Sequence, residues 1–126
     1  MELTERDRQV AVWYSLGRAG FGAVAMAAPG MARVWIGPDE ARRPLMKMIV
    51  RAFGARDLAL GVGSYLALSD EKSDAAKTWL QLSAVSDATD AVATLLAARH
   101  LSKRRVATAL TAAVTGAVTG FRLTSR

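Results

Sequence analysis

The chain reads as an all-α protein, an antiparallel bundle of four helices in one domain, on three observations. Four long segments are rich in Ala, Leu and Val and are separated by short polar or Pro/Gly-bearing connectors. The composition is apolar, with 52% hydrophobic and 22% charged residues, somewhat more apolar than an average soluble chain. Within the apolar segments the few charges fall on narrow stripes, the reverse of a soluble amphipathic helix with its broad charged face. That inversion predicts lipid as the surrounding solvent and a multi-pass protein of a bacterial cell membrane.

The first segment spans about residues 9–28 and stops at Pro29-Gly30, a pair that cannot easily continue a helix. Roughly 20 residues at about 1.5 Å rise each cover a hydrocarbon core of about 30 Å. Its single charge is Arg18. The preceding residues alternate acids and bases and lack the n-region and unbroken apolar core of a cleavable signal, so the first span is expected to stay. Residues 30–44 form a connector carrying Trp35 and Ile36 among Arg33, Arg42 and Arg43, suited to lie along an interface.

The second segment runs over about 45–68. On a helical wheel Arg51, Gly54, Asp57, Gly61 and Ser64 share a sector of about 140°, with Tyr65 among them. Arg56 points roughly the opposite way and must find another helix, snorkel, or mark this segment as not fully embedded in lipid. Residues 69–77 are hydrophilic and short, as a turn between antiparallel neighbours should be.

The third segment, about 78–98, carries Asp87 and Asp90 in an otherwise uncharged stretch, on one stripe with Ser83 and Thr94. Carboxylates at mid-depth in a bilayer cost roughly 2.5–3.5 kcal/mol each on insertion scales, so they face a partner or a cavity. The basic run from Arg99 to Arg105 follows. The fourth segment, about 106–121, has no charge and places Ala112, Gly116 and Gly120 at four-residue spacing. Small residues at that spacing let helices approach closely in lipid and offer a face for a homo-oligomer.

Antiparallel stacking puts Arg18, Asp57 and Asp87 at one depth. With Arg51, Arg56 and Asp90 the mid-span charges number three positive and three negative. Such a balance suits an internal ion-pair network. Asp87, Asp90 and Asp57 are the candidate acid–base groups. Arg18, Arg51, Arg56, Tyr65, Trp79, Ser83 and Thr94 are the candidate binding residues. The bland reading is that the buried carboxylates only fix helix register. With one His and no Cys a transition-metal site and disulfides are not expected, and no cofactor is implied. The net charge of +6 is spread over segment ends without interleaved aromatics, which argues against nucleic acid as a partner. Trp13, Trp35 and Trp79 near the span ends look like interfacial anchors. Eight basic residues on the side of the first and third connectors, against six on the other, favour both termini outside.

The succession Leu16-Gly17-Arg18 with Phe21-Gly22, then residues 51–61, then Asp87 with Asp90, resembles a family of short bacterial four-span membrane proteins catalogued as a domain of unknown function. Its most specific part is Gly-Ala-Arg-Asp-Leu-Ala-Leu-Gly, residues 54–61. The resemblance covers nearly the whole chain and implies an integral membrane location without a chemistry.

The functions this pattern admits are binding of an apolar or amphipathic small molecule, a subunit of a membrane assembly, a membrane-embedded isomerase or cyclase using the aspartates on a lipid-soluble substrate, and a dimeric proton-coupled transporter. A mean hydropathy of +0.17, low for a membrane protein, keeps a soluble helical bundle in view.

Overall fold

The computed structural model describes residues 3–70 and 74–125, and among these all regular structure is helical. Six α-helices follow in order: α1 (Glu5–Ala27), α2 (Arg33–Ile36), α3 (Pro38–Arg42), α4 (Pro44–Ser69), α5 (Ala75–Ala97) and α6 (Lys103–Thr124). At about 1.5 Å per residue the four long ones, of 22 to 26 residues, reach roughly 33–39 Å.

The long helices begin earlier than the apolar runs alone suggest, because capping chemistry starts them. Thr4 accepts a bond from the Asp7 amide at 3.2 Å and Glu5 and Asp7 occupy the first turn of α1, where carboxylates favour the helix dipole. Ser102 accepts from the Arg105 amide in the same way and starts α6 inside the basic run. Pro44 opens α4 at a position where its missing N–H costs nothing.

The expected connector over residues 30–44 is not a plain loop. A 3-10 turn (Pro29–Ala32) leads into α2, Gly37 at φ 93° reverses the chain, and α3 follows. The segment Pro29–Ile36 leaves α1 at a bend of 107° and so runs across the end of the long helices. Pro29, Ala32, Gly37 and Ala41 are buried there. Trp35 meets Phe21 edge-on at 5.6 Å between ring centroids, and Phe21 meets Phe53 likewise at 6.1 Å.

Packing is organised as two tight helix pairs, α1 with α4 and α5 with α6, joined by a thinner α4–α5 contact. Contacts in each run antiparallel: Ser15 meets Gly61 while Ala25 meets Gly54, and Leu80 meets Gly120 while Asp87 meets Gly116. In the α1–α4 pair the backbones nearly touch. A Cβ on Gly54 would lie 2.7 Å from the Gly22 carbonyl oxygen, and one on Gly61 would lie 2.6 Å from that of Ser15. In α5–α6, Gly120 lies against Ala84. The expected small-residue face of the fourth helix is thereby corrected: Gly116 and Gly120 are spent on α5 within the same chain, and of the three residues Ala112 alone is exposed. The apolar core holds Ala11, Ala67, Leu68, Ala76, Leu80 and Leu123.

The large apolar side chains lie outside. Trp13 is 74% exposed and Leu96 76%, and Leu16, Val62, Leu66, Val85, Val92, Val114 and Val118 are exposed as well. Ser15, Ser64 and Ser83 are fully buried. Among the described helices α6 alone is long and apolar enough to cross a membrane, and only 17% of its apolar stretch is buried within the protein. Helix α1 meets that standard only when counted together with the bent segment Pro29–Ile36.

Candidate functional site

The candidate site is a chain of hydrogen-bonded charges that ties the α1–α4 pair to α5. Arg18, on the buried stripe of α1 with Ala11, Ser15, Gly22 and Ala25, is 9% exposed. Its Nη1 donates to Asp57 Oδ1 of α4 at 2.8 Å, and its Nη2 donates to Asp87 Oδ1 of α5. One planar guanidinium thus bridges two carboxylates on different helices, a geometry that a lysine ammonium does not reproduce. Tyr14 sits one turn before Arg18 and donates its hydroxyl to Asp87 Oδ2 at 2.8 Å. Arg18 Nη2 also lies 3.4 Å from that hydroxyl.

Arg56 extends the network. Its Nη1 and Nη2 donate to Asp90 Oδ1 and Oδ2 at 3.0 and 2.7 Å, a bidentate fork, and Nη2 reaches Asp57 Oδ1 at 3.2 Å. Its guanidinium carbon stacks 4.2 Å from the centre of the Phe53 ring. The side chains of Arg56 and Asp90 are 34% and 25% exposed, against 7% for Arg18 and 8% for Asp57, so the network has a buried end and a more exposed end. The Nε atoms of Arg18 and Arg56 and the Ser86 hydroxyl are buried without a hydrogen-bond partner among the described residues.

The expected residues divide clearly. Arg18, Asp57, Asp87, Arg56 and Asp90 meet in this one network, and of the alternatives open to Arg56 the structure shows the reach to another helix. Ser83 is buried with its hydroxyl 3.5 Å from that of Ser64, bridging α4 and α5 beside the network.

Arg51 is a correction. It is exposed, and its Nε donates at 3.2 Å to the Met26 carbonyl in the last turn of α1, where helix carbonyls lack partners. Thr94 bonds back to the Asp90 carbonyl at 2.8 Å, Tyr65 is exposed, and Trp79 lies over the bare backbone of Gly63, so these three stand outside the network. Tyr14 is the member that sequence reasoning missed. Its four-residue spacing from Arg18 places both on one face, which was the available signal.

No family model, curated protein or solved structure matches the chain. The site must be read on its own chemistry. Over residues 9–27, 53–69, 78–98 and 106–121 the chain has five charged residues, and all five are members of the network. Every other charge lies toward a helix end or in a connector. Two shallow grooves occur on the outside, one on α6 along Ala107, Thr108, Thr111, Ala112 and Thr115, the other along Met26, Ala55, Leu58, Ala59 and Val62. Neither is lined by a network residue. Among the described residues no group of three His, Cys, Asp or Glu is placed to hold a metal.

Proposed function

We propose that this is a small integral membrane protein that crosses a bacterial cell membrane with α1, α4, α5 and α6 as four antiparallel spans, and that it serves as a subunit of a membrane assembly. One observation carries the membrane reading: polar groups are inside and large apolar groups outside. Arg18, Asp57, Asp87 and three serines are buried, while exposed Leu, Val and Trp side chains cover helices whose middle portions present no other charge. In water such a surface would be a large uncovered apolar patch. In lipid it is the expected exterior, and charged groups turn to one another.

The network then acts as a register lock. In lipid no hydrophobic force holds helices together, so small-residue packing and interhelical polar bonds must do it. The glycine contacts of α1 with α4 and the Arg18 bridge to α5 supply both. The subunit role is supported by the outer face of α6, where Ala107, Thr108, Thr111, Ala112 and Thr115 are exposed and small enough to let a neighbouring helix approach closely.

The test uses alkaline extraction of native membranes followed by cross-linking. The chain has no cysteine, so Thr111→Cys introduces the sole thiol. Retention in the membrane pellet and a Thr111→Cys cross-linked species of defined mass support the proposal. Release into the alkaline supernatant overturns the membrane reading, and a monomer at every cross-linker length overturns the subunit role.

A further inference from the structure

All of the chain's net positive charge gathers at one end of the long helices. Residues 30–51 and 99–105 hold nine basic and two acidic side chains, a net of +7, whereas residues 1–8, 70–77 and 122–126 hold six of each sign. Two stretches far apart in sequence form one surface there. The segment Pro29–Ile36 runs across the helix ends, and Arg105 in the first turn of α6 lies over the turn between α2 and α3, where a Cβ on Gly37 would stand 3.0 Å from its Nη1. Arg51 joins this end as well, exposed beside the last turn of α1. Of the nine basic side chains, only Lys47 and Arg105 are half-buried and the rest are exposed.

The protein itself offsets little of this charge. Among the described residues the one ion pair at this end is Arg43 with Glu40, at 3.0 Å. Arg51 caps the Met26 carbonyl, and Arg99 Nε donates to His100 Nε2 at 2.9 Å. The side chains of Arg33, Arg42, Lys47, Lys103, Arg104 and Arg105 make no hydrogen bond or ion pair with any described residue. Beside these cations stand exposed apolar side chains: Leu45, Met48 and Ile49 in the first two turns of α4, and Leu95 and Leu96 in the last turn of α5.

Cations at the helix ends with apolar side chains next to them repeat the order of headgroup and acyl chain in a phospholipid. We infer that this end is a docking surface for anionic phospholipid, with headgroup phosphates against Arg33, Arg42, Lys103 and Arg104 and acyl chains along the neighbouring apolar side chains of α4 and α5. A nucleic acid or an acidic soluble protein would match the charge and leave those apolar side chains uncovered. Acidic residues count against attraction to an anionic leaflet, so the opposite end, with its equal numbers, has no such preference. This inference rests on the membrane reading and adds to it the class of lipid and the face that meets it.

The experiment is electron spin resonance of the full chain in phosphatidylcholine vesicles carrying a trace of spin-labelled phosphatidylglycerol or spin-labelled phosphatidylcholine, read as the fraction of label immobilised on the protein. One basic residue near an anionic surface contributes about fivefold in binding, so the average over all lipids touching the chain should favour the anionic label by about threefold or more. Arg33→Gln with Arg42→Gln and Arg104→Gln, all exposed and clear of the buried network, should bring the ratio toward one. Arg6→Gln with Lys77→Gln and Arg122→Gln removes the same charge from the other end and should leave the ratio unchanged. Raising sodium chloride from about 0.1 to about 1 M shortens the screening length from about 10 to about 3 Å and should weaken the preference in the parent chain.

Equal association of the two labels with the parent chain, or an equal fall in the two triple variants, overturns the proposal. A preference abolished by inorganic phosphate at an ionic strength where sodium chloride spares it overturns the lipid assignment in favour of a soluble phosphate. Flotation with pure phosphatidylcholine vesicles keeps this result apart from the membrane reading. A chain that enters them and shows no preference keeps the spans and loses the docking surface. A chain that binds only vesicles containing phosphatidylglycerol, and leaves them in high salt, keeps the docking surface and loses the spans.

Discussion

Replacing Arg18 by methionine should be the most damaging single change in the chain, and the structure indicates by how much. Methionine keeps most of the aliphatic stem, so the effect isolates the guanidinium. Arg18 is 9% exposed and holds both Asp57 and Asp87. Asp57 retains Arg56 at 3.2 Å after the substitution, whereas Asp87 is left with only the Tyr14 hydroxyl. Breaking a buried ion pair by removing one partner costs about 3–5 kcal/mol. Set against a whole-domain stability of about 5–15 kcal/mol, that is roughly a fifth or more of what holds the fold. The assay is denaturant unfolding in mild detergent, followed by circular dichroism. Arg18→Lys should fall between parent and Arg18→Met, because an ammonium cannot fork between two carboxylates. Adding Asp87→Asn to Arg18→Met removes the stranded charge and should recover about 1–3 kcal/mol, the range of coupling between residues in one network. A loss below about 1 kcal/mol for Arg18→Met, or no recovery in the double variant, would refute the reasoning, since exposed ion pairs behave that way.

Gly22→Ala and Gly54→Ala should each destabilise by about 1–3 kcal/mol, as an added Cβ at either meets backbone of the facing helix; the same melts check it. Gly17→Ala and Gly20→Ala, with nothing within 4 Å of the new atom, should instead gain up to about 1 kcal/mol from helix propensity. Equal effects at the four positions would contradict the close crossing of α1 and α4. Gly37→Ala forces φ 93° on a residue with a Cβ and should cost about 1–2 kcal/mol, read as a lower melting midpoint.

Much of this arrangement was legible in the sequence. The placement of Arg18, Asp57 and Asp87 followed from antiparallel counting, since a charge near the middle of each long helix meets its counterparts whichever way the details fall. Helix starts were less legible, because apolar periodicity begins a turn after the capping residues Thr4 and Ser102 have set the backbone. Arg51 shows a sharper limit. The wheel groups it with Gly54 and Asp57, but α1 ends beside it, so its side chain caps carbonyls at Met26 and never reaches the network. A wheel gives an angle and no depth. The α6 glycines illustrate the same gap from another side: spacing identifies a face fit for close approach, while only the tertiary contacts show that α5 already occupies Gly116 and Gly120.

The central claim is that the exposed apolar surface faces lipid, and single-cysteine labelling on this cysteine-free chain tests it most directly. Cysteines would replace Leu16, Val62, Val85 and Val114, one on each long helix, with Arg43 and Ser102 as positions in connectors. In native membranes a charged, membrane-impermeant maleimide applied from both sides should label Arg43→Cys and Ser102→Cys and leave the four mid-helix thiols unmodified until detergent is added. Rapid labelling of the four mid-helix thiols in intact membranes would place those surfaces in water and contradict the account.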